Sequence, residues 1–244
     1  MPELRVLRLS TNVTTLFDAE SYQQINTARW ALAQDVIREL RAQGAGFSTA
    51  YDFGAGPGWF AGRLCAEGLD VVALEGREDV AREGQARAPQ AQFEVFDFDA
   101  AAVPGLPAAR DFSLSFGILY HLESPLRALR MMGAMTRDVM LLETMTMPAD
   151  FAAARVIREN PNATQGLQPL AILLSPEAVE QGLWAAGFTQ VYRCQRAIDH
   201  DDFRDLPNRH PRRHVWLAAR RSLKLEGFEA APIEEPRRAD YWRK

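Results

Sequence analysis

The chain has 244 residues, 47% of them hydrophobic and 25% charged, with a formal net charge of −4. That length supports one large core, and the composition excludes a disordered or fibrous chain. The acidic balance argues against an extensive nucleic-acid footprint, no apolar run is long enough to span a bilayer, and Met1-Pro2-Glu3-Leu4-Arg5 lacks the basic-then-apolar pattern of a signal peptide.

In chain order, residues 1–18 read as a short strand or extended arm. A helix is expected from Ser21, where Ser21-Tyr22-Gln23-Gln24 has the form of a capping box and Ile25, Ala28, Leu32, Val36 and Leu40 follow as one apolar stripe. Gly44 and Gly46 close it. A regular alternation then begins: strand 49–53, helix 59–67, strand 69–74, helix 79–87, strand 92–98, strand 112–116, a helix opened by Ser124-Pro125, and strand 139–143. The continuous apolar runs fit strands covered on both faces. This repetition predicts an open, doubly wound, mostly parallel sheet. Residues 145–174 carry few regular signals and read as a lid or substrate-recognition insertion. Ser175-Pro176 caps a helix ending near Gly187, and strands 190–196 and 214–219, with no convincing helix between them, should pair antiparallel at the sheet edge. Residues 225–244, rich in Glu, Arg and Pro, are expected to be a flexible tail. The domain layout is therefore an N-terminal arm and helix over 1–47, a main domain over 48–224 and the tail.

The chemistry is concentrated at the ends of successive strands. Tyr51-Asp52-Phe53-Gly54-Ala55-Gly56-Pro57-Gly58 places three glycines between a strand and a helix, so the backbone can turn sharply beside a ligand whose anionic group meets the helix N-terminus. Glu75 ends the next strand, where a carboxylate can accept bonds from both hydroxyls of a ribose. Asp97 ends the third, within reach of an adenine amino group, with Phe98 beside it to pack on the ring. A glycine loop alone can be a plain tight turn. Three features at three strand ends, where ligands of such sheets bind, point to a nucleotide-type cofactor. Counted from Gly56, Gly56-x-Gly58-x-x-Ala61 also fits a dinucleotide fingerprint, so a dehydrogenase stays open by counting, although the terminal antiparallel pair weighs against it.

Together with Phe116-Gly117-Ile118-Leu119-Tyr120-His121-Leu122, these residues resemble the signature of class I S-adenosylmethionine (SAM)-dependent methyltransferases over roughly residues 48–221. The resemblance implies a Rossmann-like, seven-stranded sheet with an antiparallel last strand at 214–219. It also implies SAM as cofactor, with Asp52, Gly54, Gly56, Gly58, Glu75, Asp97, Phe98 and Phe116 around it. Asp52 is expected to hold the α-ammonium, directly or through water. The order Gly117-Ile118-Leu119-Tyr120-His121, Ser124-Pro125-Leu126, Leu142-Glu143-Thr144 is similar to a narrower group with a G-[IV]-L-Y-H motif. That group includes tRNA wobble-uridine carboxymethyltransferases and small-molecule enzymes. The tRNA enzymes use an upstream lysine for carboxy-SAM, whereas this chain has no lysine before Lys224, which favours ordinary SAM.

Helices like the first one often cover the cofactor in that superfamily, which makes Tyr22 and Arg29 candidates, Arg29 for the SAM carboxylate; its plain alternative is a solvated face. Methyl transfer needs alignment and, for a protonated nucleophile, a base. His121 is the candidate base, its alternative a helix cap or a bond to a carbonyl. Tyr120 is expected to orient substrate or line the pocket, its alternative being a packed core aromatic. Glu143 is expected to face the same crevice as base or hydroxyl ligand, or else to partner an arginine. The run Asn208-Arg209-His210-Pro211-Arg212-Arg213-His214 is basic enough to contact RNA, but Asp199, Asp201 and Asp202 lie near enough to balance it. No histidine or cysteine spacing suggests a metal site, and the two cysteines, Cys65 and Cys194, form no redox motif, so a reducing cytoplasm is the default. The sequence thus predicts transfer of a methyl group to a small molecule, most simply at a hydroxyl oxygen. The alternatives are an RNA-modifying enzyme or a non-catalytic SAM-binding module. The oligomeric state stays open.

Overall fold

A computed structural model describes residues 16–101, 105–207, 210 and 212–233; the expected N-terminal arm lies almost entirely outside them. Among the described residues ten strands and five α-helices follow in order: α1 (Glu20–Ala42), β1 (Thr49–Phe53), α2 (Trp59–Ala66), β2 (Asp70–Glu75), α3 (Glu78–Arg87), β3 (Gln92–Val95), β4 (Arg110–Phe116), α4 (Pro125–Met135), β5 (Thr136–Met145), β6 (Ala154–Arg158), β7 (Leu170–Leu174), α5 (Pro176–Ala185), β8 (Gln190–Cys194), β9 (Arg213–Ala219) and β10 (Phe228–Ala230). Eight strands form one sheet in the order β10-β8-β9-β5-β4-β1-β2-β3, and β6 and β7 form a separate antiparallel pair.

The strands from β3 to β5 are parallel, and β9 inserts antiparallel between β5 and β8. The doubly wound sheet and its antiparallel strand are those expected. The count differs. An eighth strand, β10, pairs antiparallel with β8, Phe228 facing Cys194, inside the segment expected to be a flexible tail. Leu225 and Phe228 are buried there, so apolar burial overrides the polar composition around them.

Both sheet faces are covered, and side chains alternate between two cores. Val139 and Leu141 of β5 join Leu217 of β9 and Leu32, Val36 and Leu40 of α1 on one face. Met140 and Leu142 join Trp216, Phe53 and Leu129 on the other. This is the physical reason for the unbroken apolar runs. β1 has β2 on one side and β4 on the other, so the strand order reverses between β1 and β4 and a crevice opens outside their carboxyl ends.

Two expected caps are replaced. The α1 N-cap residue is Ala19 and no side chain caps the helix; Gln24 instead receives no box partner and donates to Glu20 Oε1 at 3.0 Å. Ser124 does sit at the N-cap of α4 with Pro125 following, but its hydroxyl makes no cap bond. The Asp99 carboxylate accepts from the Glu123 and Ser124 N–H groups at 2.7 and 2.9 Å, tying the loop after β3 to the turn after β4. At α5 the expected cap forms, Ser175 accepting from Ala178 N–H.

Candidate cofactor and active site

The turn after β1 is fastened to β2, Leu74 O accepting from Gly54 N–H and Ala55 N–H at 2.8 and 3.0 Å. Gly54, Gly56 and Gly58 all have positive φ, between 53 and 83°, so the trace needs them whatever else is nearby. Their surroundings differ. A Cβ on Gly54 would lie 2.6 Å from Ile118, and one on Gly58 would lie 2.8 Å from Phe93. Those two make room for the protein itself. Only Gly56 leaves its space toward the cavity, 3.5 Å from Tyr22 Oη. Gly54, Ala55 and Gly56 line the cavity, and Gly58 does not.

Glu75 lines it too, and its carboxylate braces the loop: Oε2 accepts from Gly56 N–H and Oε1 from Arg77 N–H, both at 2.9 Å. Burial pushes its pKa up, against those backbone bonds and the Arg77 charge. Asp97 lines the same end, with Oδ1 accepting from Asp99 N–H at 2.8 Å. β3 stops at Val95, so Asp97 and Phe98 belong to the following loop rather than to the strand. The Phe98 side chain is 2% exposed and packs edge-on against Phe53 and Phe96. Phe96, half-buried, is the aromatic of this wall with ring surface to offer, and strand alternation could have pointed to it. Asp52 lies under the loop at 1% exposure, outside the cavity lining, so direct contact with a cofactor ammonium is not what the fold provides. One Asp52 oxygen has no hydrogen-bond partner. Burial, reinforced by the Glu75 charge and opposed by Ala61 N–H, pushes its pKa up to about 7.

The roof is one face of α1. Tyr22, Asn26 and Arg29, at i, i+4 and i+7, all line the cavity. Burial drives the Tyr22 phenol up to about 12. Arg29 is 5% exposed, not solvated: Nη1 donates to Asn26 Oδ1 at 2.8 Å, and Nη2 lies 2.7 Å from Glu143 Oε2. The latter is a charge contact without hydrogen-bond alignment, because Arg29 Nε and Nη2, Glu143 Oε2 and Asn26 Nδ2 all lack hydrogen-bond partners. Glu143, expected to face the crevice, is instead 0% exposed and held between Arg29 and Arg213, whose Nη1 donates to Oε1 at 3.0 Å. A buried carboxylate held between two guanidiniums is an anchor for both of them rather than a group open to the cavity. Arg213 also donates from Nη2 to Tyr120 Oη at 3.2 Å and lies over its ring, 4.9 Å from the centroid. Burial alone would weaken the Arg213 charge, but Glu143 and Tyr120 raise its pKa above the ordinary arginine value.

Tyr120 and His121 form a single 3₁₀ turn, Leu119–His121, after β4; both line the cavity, their rings 4.1 Å apart. Phe116 lies at the end of β4, in the lining and edge-on to Phe60. His121 Nδ1 pairs with Glu159 Oε2 at 3.0 Å. Glu159 comes from the insertion, whose residues Ala163 to Leu167 close the cavity. Arg77 Nη2 donates to Gln165 O and Gly166 O at 3.1 and 2.9 Å, and Leu167 fills the space where Gly76 lacks a side chain. Sequence patterns brought Tyr22, Arg29, Gly54, Gly56, Glu75, Asp97, Phe98, Phe116, Tyr120 and His121 to this cavity. Asn26, Arg77 and Phe96 also line it and Glu159 lies against His121; those patterns single out none of the four, and Asn26, Arg77 and Glu159 owe their places to tertiary packing.

A doubly wound sheet with one antiparallel strand, and a cavity at its switch point over a glycine loop and two acidic side chains, defines a nucleotide-cofactor enzyme of the Rossmann-like class. Residues 22–193 match the family described as a methyltransferase domain, and the chain belongs to that family. No curated protein matches. Among solved structures, the chain is similar to the N-terminal domain of EvdMO1 in the presence of SAH and D-fucose, at 18% identity and TM-score 0.62, over 83% of this chain and 85% of that one. It is similar to magnesium protoporphyrin IX methyltransferase from Synechocystis PCC 6803 with bound SAH, at 15% identity and TM-score 0.56, over 83% and 88%. It is also similar to SAM-bound CalS10, an amino pentose methyltransferase from Micromonospora echinaspora, at 16% identity and TM-score 0.56, over 83% and 98%. These likenesses are of fold. The methyltransferase expected from the sequence is the enzyme class found. No helix among the described residues is long and apolar enough to cross a membrane.

Proposed function

We propose that the protein transfers a methyl group from SAM to a hydroxyl oxygen of a small molecule. One observation carries this reading: a single cavity joins Glu75 and Asp97 at one end to Tyr120 and His121 at the other, under a roof of buried polar groups with unused donors. The residues fit that cofactor. Glu75 would take the ribose hydroxyls and Asp97 the adenine amino group. The unpartnered N–H groups of Arg29 and Asn26 would take the methionine carboxylate, an anion suited to a buried guanidinium. SAM, when bound, supplies a methyl group already activated on a sulfonium. Around it the chain would align the acceptor hydroxyl, and His121 would take the hydroxyl proton on Nε2 as the oxygen becomes the nucleophile.

The small-molecule reading is supported by the insertion, which closes the cavity with residues 163–167. The absence of any lysine before Lys224 supports SAM over carboxy-SAM within the G-[IV]-L-Y-H group. The basic run near the last strand gives RNA little: Arg212 and Arg213 both pair with Asp202, at 3.4 and 3.3 Å, and Arg213 also with Glu143. The domain layout read from the sequence belongs to this proposal, with the main domain extended through β10. Calorimetry tests the cofactor. SAM and SAH should bind without preference for carboxy-SAM, NAD should not bind, and Glu75→Gln should weaken SAH binding by about 1–3 kcal/mol. Binding of NAD with none of SAM would end the reading.

A further inference from the structure

Glu159 sits one residue past β6, on the insertion. Its side chain is 4% exposed. One oxygen, Oε2, meets His121 Nδ1 at 3.0 Å and accepts from Gly166 N–H at 2.9 Å. The backbone around it is fastened to both halves of the cavity. Ile172 N–H of β7 donates to Leu122 O at 2.9 Å, next to His121. Gly166 lies so close to the same turn that a Cβ on it would come 2.5 Å from His121 O. On the cofactor side, Arg77, whose own N–H is held by Glu75, grips Gln165 O and Gly166 O. Burial alone would raise the Glu159 pKa, yet His121 and Gly166 N–H hold it below the usual glutamate value, so it is an anion. The other charged or titratable groups lining the cavity are Tyr22, Arg29, Glu75, Arg77, Asp97, Asp99 and Tyr120.

We propose that Glu159 is a positioning residue for His121, delivered by the insertion, so that the imidazole is set for proton removal only while the insertion is closed over the cofactor. An anion on Nδ1 keeps the ring proton there and leaves the Nε2 lone pair for the acceptor's proton. It also stabilises the imidazolium formed when that proton arrives. The inference rests on the reading of His121 as base, and the two can fail separately.

The test begins with long-range ¹H–¹⁵N correlation of the imidazoles in the SAH complex. The chain has four histidines, and His121→Asn assigns the relevant signal. Wild-type His121 should be the Nδ1–H tautomer when neutral, and Glu159→Gln should remove that preference. A wild-type Nε2–H tautomer, or one unchanged by Glu159→Gln, overturns the positioning role. Turnover is followed with labelled SAM and a hydroxylated acceptor found by panel screening. Glu159→Gln should lower kcat by roughly 10²-fold or more, the equivalent change in the serine triad costing ~10⁴, while KM for SAM stays within about threefold, because an interaction made only in the transition state is lost. The double variant should be no slower than His121→Asn alone, as for residues acting as a unit. Full activity in His121→Asn sinks the base reading and the inference with it. An impaired His121→Asn beside a fully active Glu159→Gln sinks the inference alone.

Discussion

Asp52 shows how a motif residue can be legible while its role is not. Its place before the glycines marks it in the sequence, but only the structure shows the carboxylate under the loop, 1% exposed, with one oxygen unpartnered. Its pKa of about 7 in the folded protein, against ~3.9 for an unperturbed Asp, has a consequence for stability. Between these values the folded state holds a proton that the unfolded chain has lost. Folding is therefore favoured at low pH by this group, and that contribution disappears as pH rises from about 4 through 7, by up to ~4 kcal/mol. His214 acts in the opposite sense. Burial first, then Arg193, lowers it to about 4, so its contribution is present at neutral pH and is lost as pH falls below ~6.5. The informative quantity is thus the difference between proteins. In thermal melts of the ligand-free protein, Asp52→Asn should gain Tm relative to wild type as pH rises from 5 to 8. A pH-independent difference would mean that Asp52 is ionised in the fold.

Among the elements, the strands of the main sheet are more legible in the sequence than the segment between β5 and α5. Strands covered on both faces announce themselves by unbroken apolar runs, and β1, β2, β4 and β5 lie within a few residues of their expected bounds. The insertion carries the hairpin β6–β7; β7 is the apolar run Leu170–Leu174, but its partner β6 exposes Arg155, Val156 and Arg158 and packs no continuous core face, so neither a period of two nor an apolar run marks β6 and the pairing. For the same reason Glu159 was invisible: a carboxylate in a polar stretch gains meaning only when the hairpin folds back onto His121. Arg77 was invisible too, because its partners are backbone carbonyls 85 or more residues away. If that grip holds the insertion down, Arg77→Met should speed amide hydrogen exchange over residues 159–167 by about 10-fold or more, since a bond from a charged donor is worth ~1.5–3 kcal/mol. Amides of β1 and β4 should exchange as in wild type. Unchanged exchange in 159–167 would show that Leu167 and Gly166 seat the loop without Arg77.

At the scale of the molecule, the sheet extends one strand further than the composition of the chain's end allows a reader to expect. Residues 225–244 are rich in Glu, Arg and Pro, which reads as an unfolded tail. The signal against that reading is small: Leu223, Leu225 and Phe228 are the only large apolar residues in the stretch 223–229. Three side chains in a polar context fall below any window average. All three are nevertheless buried, at 5, 8 and 8% exposure, against the core that α1 shares with the sheet. The segment is held at several points, Gln43 donating to Lys224 O, Arg196 to Glu226 O and Leu223 N–H to Tyr192 Oη, and Arg196 lies over the Phe228 ring, 5.0 Å from its centroid. Residues 223–230 therefore belong to the cooperative unit, and β10 lies on the opposite edge of the sheet from β3. Phe228→Ala should lower stability by about 3 kcal/mol, at the lower end for a buried phenylalanine because the site is at an edge. For a chain of this size that corresponds to a fall in Tm of roughly 6–12 °C. SAH affinity measured well below the transition should stay the same, since no residue of β10 lines the cavity. A melting temperature within about 2 °C of wild type would mean that β10 docks on a core already complete without it, and the main domain would then end where the sequence first placed it, near residue 224.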